Sequence, residues 1–89
     1  MDDPLMLDAN AVAGDMVELF GVEMTMAAHR CAHCGNQGAV GALRAWTHAP
    51  GMVLRCSVCD EVVVRWARTS SGVRVDLRGA SFLELPGAR

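Results

Sequence analysis

Apolar residues near the start of the chain recur at the spacing of one helix face. The positions at intervals of i, i+4, i+7 and i+8 are Val12, Met16, Leu19 and Phe20. This spacing predicts an amphipathic helix over residues 9–20 with one buried face. Asp8 is placed to cap its first turn, and Gly21 is placed to end its last turn.

From residue 22 onward the period changes to a value close to two, which indicates β-strands. The predicted strands are 22–28, 39–47, 52–56, 61–69 and 73–78. The segment Ala49-Pro50-Gly51-Met52 has the residues of a type II turn, and it predicts a hairpin between the second and third of these strands. Ser70-Ser71-Gly72 predicts a second hairpin between the last two.

The alternation within the second hairpin also predicts its register, because opposed residues on paired strands share a face. A three-residue loop would place Trp66 opposite Asp76. A two-residue loop opposes Arg65 to Arg78, whereas a four-residue loop opposes Arg65 to Asp76 and Trp66 to Val75. We favour the four-residue loop because it brings opposite charges together.

Composition narrows the class of protein. The chain has 89 residues, of which 52% are hydrophobic and 20% are charged, and this length predicts one domain over residues 1–89. No apolar run approaches the roughly 18 residues that a membrane helix needs. The acidic start differs from the basic start of a secretory leader. We therefore expect a cytoplasmic protein that does not associate with membranes.

Charge is unevenly distributed along the chain. Residues 1–27 contain six acidic residues and no basic one, whereas residues 28–79 contain seven arginines and three acidic residues. Four arginines of the second hairpin form what we call the arginine stripe: Arg65, Arg68, Arg74 and Arg78. Two interpretations stay open. The stripe is a solvated face or a partner of the chain's own acidic segment, or it contacts the phosphates of a nucleic acid.

The chemistry of the chain is concentrated in its four cysteines, which form two C-x2-C pairs separated by twenty-one residues: Cys31 and Cys34, Cys56 and Cys59. Four thiolates supply the closed tetrahedral shell of a structural zinc site. Gly35 follows the first pair, as expected if that turn requires positive φ, and Asp60 takes the equivalent place in the second. The pattern predicts one bound Zn²⁺ ion.

Other interpretations of the four cysteines fit the sequence less well than a zinc site. Two disulfides need an oxidising compartment, and nothing in the sequence indicates one. Thioredoxin-like chemistry needs one C-x-x-C pair before a helix, and neither pair has that context. Iron fits the same four-thiolate shell, as in rubredoxin, although rubredoxin-like proteins have longer spacing and more aromatic residues. His29 or His33 could replace a thiolate, but four cysteines already complete the shell.

Two C-x2-C pairs with one strand hairpin between them and another after them resemble a zinc ribbon over roughly residues 24–78. A wider pattern adds the segments Glu18-Leu19-Phe20-Gly21-Val22-Glu23-Met24-Thr25 and Val75-Asp76-Leu77-Arg78-Gly79. With these segments, the chain is similar to a family of short, functionally uncharacterised actinobacterial proteins. The resemblance implies the four cysteines as metal ligands, and it implies no activity.

The predicted architecture is a small α+β domain, a zinc ribbon of two antiparallel β-hairpins on a four-cysteine site with one N-terminal α-helix. Its parts are an acidic helical segment (1–21), the ribbon (22–79) and a tail (80–89). The sequence contains no catalytic motif, and four cysteines leave a metal ion no open position for water. We therefore expect a non-enzymatic protein-interaction module with an unknown protein partner. The alternatives are a nucleic-acid-binding or transcription- or translation-associated ribbon, and a rubredoxin-like or redox-sensing protein.

Overall fold

Among the described residues, two antiparallel β-sheets and one α-helix build the fold, and four cysteines lie close together between the sheets. The structure is a computed structural model that describes residues 6–48 and 51–85. The helix is α1 (Ala13–Phe20). The strands are β1 (Met6–Asp8), β2 (Ala28–Cys31), β3 (Gln37–Ala39), β4 (Arg44–His48), β5 (Gly51–Arg55), β6 (Val62–Thr69), β7 (Gly72–Asp76) and β8 (Ala80–Glu84).

The strands divide between a five-stranded large sheet and a three-stranded small sheet. The order is β1-β4-β5-β6-β7 in the large sheet and β3-β2-β8 in the small one. The sequence predicted two hairpins, so the second sheet is an addition to the predicted fold. None of the helices among the described residues has the length and apolar character needed to cross a membrane.

The N-terminal helix begins and ends where the sequence predicts, but its first turn is tighter. A 3-10 helix covers Ala9–Val12, and α1 follows it directly. The Asp8 side chain accepts a hydrogen bond from the Asn10 N–H at 2.9 Å. At the other end Gly21 has φ of 78° and donates its N–H to the Val17 carbonyl, which closes the helix with a left-handed residue.

The predicted apolar stripe of the helix packs against the large sheet. Met16 and Val12 are buried in the core, and Leu19 and Phe20 pack at its margin. The Phe20 ring meets Trp66 of β6 edge-to-face, with centroids 6.4 Å apart. Such a pair adds about 0.5–1.5 kcal/mol to the area that it buries. The helix therefore covers one face of the large sheet.

Both predicted hairpins are present. In the first, β4 pairs with β5, although the predicted strand 39–47 begins only at Arg44 because residues 40–42 form a 3-10 turn. The predicted type II turn covers residues 49–52, of which 49–50 lie outside the described residues. Gly51 and Met52 belong to β5 and pair with His48 and Thr47, so the strand begins within the predicted turn. In the second, Arg65 lies opposite Asp76 and Trp66 opposite Val75, which confirms the favoured register. Pairing continues to Thr69 and Gly72, so the loop is Ser70-Ser71 and has two residues and not four. It begins one residue earlier than the two-residue loop that would oppose Arg65 to Arg78.

The predicted strand 22–28 is wrong over most of its length. The Glu23 carboxylate accepts hydrogen bonds from both the N–H and the hydroxyl of Thr25. The N–H of Ala27 then donates to the Met24 carbonyl, which closes a turn. These local bonds compete with a β-ladder, and the strand starts only at Ala28.

The predicted tail also contains a strand. Residues 80–84 form β8, which pairs antiparallel with β2 and leaves a bulge between Arg30 and Cys31. The chain reaches β8 through a turn at Gly79, whose carbonyl accepts from the Ala32 N–H at 2.8 Å. The end of the predicted ribbon is therefore joined to the first cysteine pair by backbone hydrogen bonds.

Candidate metal centre

Each sheet contributes one cysteine pair to the centre. Cys31 ends β2 of the small sheet, and Cys34 lies in the turn after it. Cys56 and Cys59 lie between β5 and β6 of the large sheet. We call residues 31–35 the first knuckle and residues 56–60 the second knuckle. The centre is therefore the place where the two sheets meet.

The two knuckles repeat one backbone hydrogen-bond pattern. In the first, the Gly35 N–H donates to the Cys31 carbonyl at 2.9 Å, and the Cys31 N–H donates to Asn36. In the second, the Asp60 N–H donates to Cys56 at 3.0 Å, and the Cys56 N–H donates to Glu61. Equal turns in both pairs aim two sulfurs from each side at one point.

Backbone conformation explains the residues that close each knuckle. Gly35 has φ of 82° and Asp60 has φ of 66°. Residues with a side chain rarely adopt this left-handed region, and Asp and Asn are among the few that do. The prediction of positive φ after the second ligand is confirmed in both knuckles.

Two of the distances between the sulfurs match the edge of a tetrahedral metal shell. The Sγ atoms of Cys31 and Cys59 are 3.7 Å apart, as are those of Cys34 and Cys56. All four sulfurs lie within 4.8 Å of one another. A tetrahedron of zinc–sulfur bonds of about 2.3 Å has edges of about 3.8 Å. A disulfide requires about 2.05 Å, and so the four cysteines are arranged as free ligands and not as two bridges.

The protonation chemistry of the sulfurs also fits a site that needs a cation. At Cys59 the Glu61 N–H lowers the pKa, but burial and the neighbouring thiols raise it to about 12. At Cys56 burial raises the pKa, but the backbone N–H groups of Cys59 and Val58 lower it to about 7. Four sulfurs in contact cannot all ionise without a positive charge among them, and a divalent metal supplies that charge.

An arginine stands directly before each knuckle. The Arg55 guanidinium donates to the Asp60 carbonyl at 3.1 Å. Arg30 lies over Gly35, where an added Cβ atom would be 3.5 Å from its Nη2 atom. A divalent ion with four thiolates has a formal charge of −2, and these two cations balance it. The sequence analysis connected neither arginine with the cysteines, although the repeated pattern R-C-x-x-C contains both.

The two nearby histidines lie outside the sulfur cluster. In the part of the chain that the structure describes, the group able to hold a metal comprises the four cysteines alone. His29 is buried, and burial lowers its pKa despite a contact with the Gly38 carbonyl that raises it. His33 is exposed within the first knuckle. Burial makes His29 a neutral core residue at pH 7.

The arginine stripe divides between the two faces of the large sheet. Arg65, Arg74 and Arg78 line a groove of about 550 Å³ on the face away from α1. Arg65 and Arg78 both pair with Asp76, at 3.2 and 2.7 Å. Arg68 points to the other face, where it shares a groove with Asp15 and Glu18 of the helix. The stripe is therefore partly neutralised by the chain's own carboxylates.

Comparison with known proteins places the chain in a family. Residues 2–88 match the model of a family of unknown function, DUF6510. The chain belongs to this family. No match was found among curated proteins or among solved structures. The family description names no metal, fold or source organism, so the metal site rests on the geometry above and the actinobacterial origin stays a prediction.

Proposed function

We propose that the four cysteines hold one structural Zn²⁺ ion and that the chain is a non-enzymatic zinc-ribbon protein. The observation that carries the proposal is the placement of the sulfurs, two from each sheet and 3.7 Å apart across the junction. With four protein ligands the ion has no open position for a water or a substrate, which favours a structural over a catalytic role. The ion would fasten the small sheet to the large one.

The small core of the domain leaves room for a metal ion to add much of its stability. The fully buried side chains are mostly small or medium-sized, with Met16, Met24, Leu43 and Leu54 among the largest. Domains below about 70–80 residues rarely gain more than about 3–5 kcal/mol from a single core, and this chain of 89 residues is only slightly longer. A structural zinc ion contributes about 10–16 kcal/mol in zinc-finger peptides, which exceeds that margin. We therefore expect the metal to decide whether the domain folds.

The test is metal content and stability measured on the same sample. Native mass spectrometry of the purified full chain should give one zinc ion per chain, and replacement by Co²⁺ should give the intense visible bands of tetrahedral thiolate ligation. Removal of zinc under reducing conditions should abolish the cooperative thermal transition, and added zinc should restore it. A cooperative melt of the fully demetallated protein at the same temperature would overturn the structural role.

Single substitutions in one knuckle sharpen this test. Cys34→Ser removes one ligand and should give weak metal binding and a largely unfolded chain. Ser57→Ala changes an exposed position between two ligands and should leave the metal content and the melting temperature unchanged. Equal behaviour of the two variants would contradict a four-cysteine site.

A rubredoxin-like iron centre would use the same sulfurs, and colour separates the two metals. A ferric tetrathiolate absorbs strongly in the visible range, whereas the zinc protein is colourless. Protein isolated from cells grown with both metals should therefore be colourless and contain zinc. A red protein with a reversible one-electron couple would favour electron transfer.

The proposed role for the folded domain is binding to another protein. Several large apolar side chains are exposed: Val17, Met26, Val58, Val73, Leu77, Phe82 and Leu85. Nucleic acid is the second candidate, favoured by the groove that contains Arg65, Arg74 and Arg78. Because Asp76 already pairs with two of these, we expect weak binding of single-stranded RNA and DNA at about 150 mM salt. Tight, salt-sensitive binding by the full chain would reverse this order.

A further inference from the structure

Strand β7 is one of the two edge strands of the large sheet as described, and it has an unusual sequence. Strand β7 pairs with β6 on one side, and no described strand pairs with its other side. The stretch from Val73 to Leu77 reads Val-Arg-Val-Asp-Leu. Val73 and Leu77 are 41% and 43% exposed. An edge of this kind offers unpaired backbone groups to another strand, and proteins usually protect it with charge, proline or a bulge.

The two faces of this edge differ in character. Arg74 and Asp76 lie on the face of the large sheet away from α1, which we call the outer face, opposite Ala67 and Arg65 of β6. Val73 and Val75 lie on the face that α1 covers, which we call the inner face, and Val75 opposes Trp66 there. Thr69 and Gly72 close a two-residue loop, so these two residues form a hydrogen-bonded pair. Hydrogen-bonded pairs recur at every second position, and the N–H and C=O groups of Arg74 and Asp76 therefore point towards β6. The N–H and C=O groups of Val73 and Val75 point the other way, to the free side of β7.

We propose that two copies of the chain associate through antiparallel pairing of β7 with β7, centred on Val75. The sequence of the edge is complementary to itself in this register. Val75 lies opposite Val75 of the second copy, and Val73 lies opposite Leu77. Arg74 lies opposite Asp76, twice by symmetry. The two large sheets then form one continuous ten-stranded sheet, with isologous contacts as in most homodimers.

Charge selects this register over its neighbours. A twofold axis at Arg74 would oppose Arg74 to Arg74, and an axis at Asp76 would oppose Asp76 to Asp76. Directly opposed like charges destabilise strand pairs, whereas opposite charges stabilise them. Only the axis at Val75 opposes Arg74 to Asp76. Asp76 is held ionised, because hydrogen bonds from Arg78 and Arg65 lower its pKa.

The apolar side chains fit the same register. On the inner face, Val73, Val75 and Leu77 of both copies would form one row, and the exposed parts of Val73 and Leu77 would cover each other. The ladder ends naturally at Leu77, because its carbonyl already accepts from the Ala80 N–H at 3.1 Å. Two five-residue strands make a small interface, and we expect a weak, concentration-dependent dimer.

The test is sedimentation equilibrium of the zinc-loaded full chain from about 1 μM to about 1 mM, which covers weak dimers. R74E and D76R should each weaken association about tenfold or more, because each opposes like charges twice. R44E makes the same charge change as R74E on an exposed residue of β4, away from the edge, and should associate like the unaltered chain.

Mixing the variants gives the decisive result. In a mixture of R74E and D76R, each cross-pair joins opposite charges again, so heterodimers should form at concentrations at which neither variant dimerises alone. L77D is a second variant at an exposed position and should also weaken the dimer without disturbing the ion pairs of Asp76. A chain that stays monomeric over the whole range overturns the proposal. So does a dimer unaffected by R74E and L77D, or a mixture that fails to associate.

Discussion

Asp60 holds, in the second knuckle, the left-handed backbone conformation that Gly35 holds in the first, with φ of 66° and 82°. The two residues also make the same hydrogen bond, from their N–H to the carbonyl of the first cysteine of the knuckle. The two turns thus have the same backbone conformation and hydrogen bonding, but only the first has glycine, which adopts this conformation without strain.

This difference predicts opposite effects of two substitutions. Asp60→Gly should stabilise the zinc-loaded protein by about 0.5–1 kcal/mol. Glycine removes the strain of the left-handed conformation, and the greater freedom of glycine in the unfolded chain offsets only part of that gain. Gly35→Ala should destabilise it by about 1–2 kcal/mol. Urea unfolding with zinc in fixed excess measures both. A loss of stability in Asp60→Gly would show that its side chain matters more than its backbone strain.

Gly79 predicts a larger effect through close packing. A Cβ atom at this position would lie 1.9 Å from the carbonyl oxygen of Val62 and 2.8 Å from the Cα of Val63, so the backbone has to move. We expect Gly79→Ala to cost about 1–3 kcal/mol or more.

Gly14 provides the matched control for that substitution. It lies inside α1, and an added Cβ atom would meet nothing within 4 Å. Gly14→Ala should therefore stabilise the protein by about 0.5–1 kcal/mol through helix propensity. Thermal melts of both variants at one zinc concentration check the pair. Similar losses in the two variants would contradict the described approach of Gly79 to β6.

The packing of α1 predicts a second contrast between neighbouring residues. Met16 is 1% exposed and Val17 is 41% exposed. Met16→Ala should cost about 2–5 kcal/mol, because it leaves a cavity between the helix and the sheet. Val17→Ala should change stability by less than about 0.5 kcal/mol. Urea unfolding of the two variants measures both effects: the midpoint should fall for Met16→Ala and stay unchanged for Val17→Ala, with the same slope in both.

Zinc affinity should fall as the pH falls. Cysteine thiols have a pKa of about 8.5 in an unfolded chain, and the folded arrangement raises the pKa of Cys59 to about 12. Below pH 8 the thiols of the metal-free chain are therefore mostly protonated, and zinc must displace at least two protons. Below pH 8 the apparent affinity should fall about 100-fold or more per pH unit.

Competition with a chelator of known pH dependence measures that slope. Calorimetry in two buffers of different ionisation enthalpy counts the protons released and serves as an independent control. A slope near zero would show that the thiolates exist before the metal binds.

Local patterns predicted the parts of the fold that depend on local chemistry. The helix ends follow from Asp8 and Gly21, and the register of β6 and β7 follows from the alternation around Trp66. The clustering of the four cysteines follows from their spacing. Each of these features depends on residues that are near one another in the chain or that have the spacing of a metal-binding motif.

The missed elements depend on partners far along the chain. Strands β1 and β3 have three residues each, which is too short for an alternation to be visible. Strand β8 pairs with β2, where Glu84 lies opposite Ala28. The local sequences of β2 and β8 do not indicate that these two strands pair with each other. The turn at Glu23 and Thr25 was missed because a backbone hydrogen bond to a side chain interrupts an apparently regular alternation.

The pairing of β8 with β2 sets an order of events during synthesis. The small sheet needs β8, which leaves the ribosome after every other described strand, whereas β4, β5, β6 and β7 can pair with near neighbours as they emerge. Contacts between distant segments form slowly, because closing a long loop costs entropy before any contact forms. We therefore expect the second knuckle to form while the first still lacks its flanking strand. With the proposed zinc ion, capture by all four sulfurs is then expected to be a late step of folding.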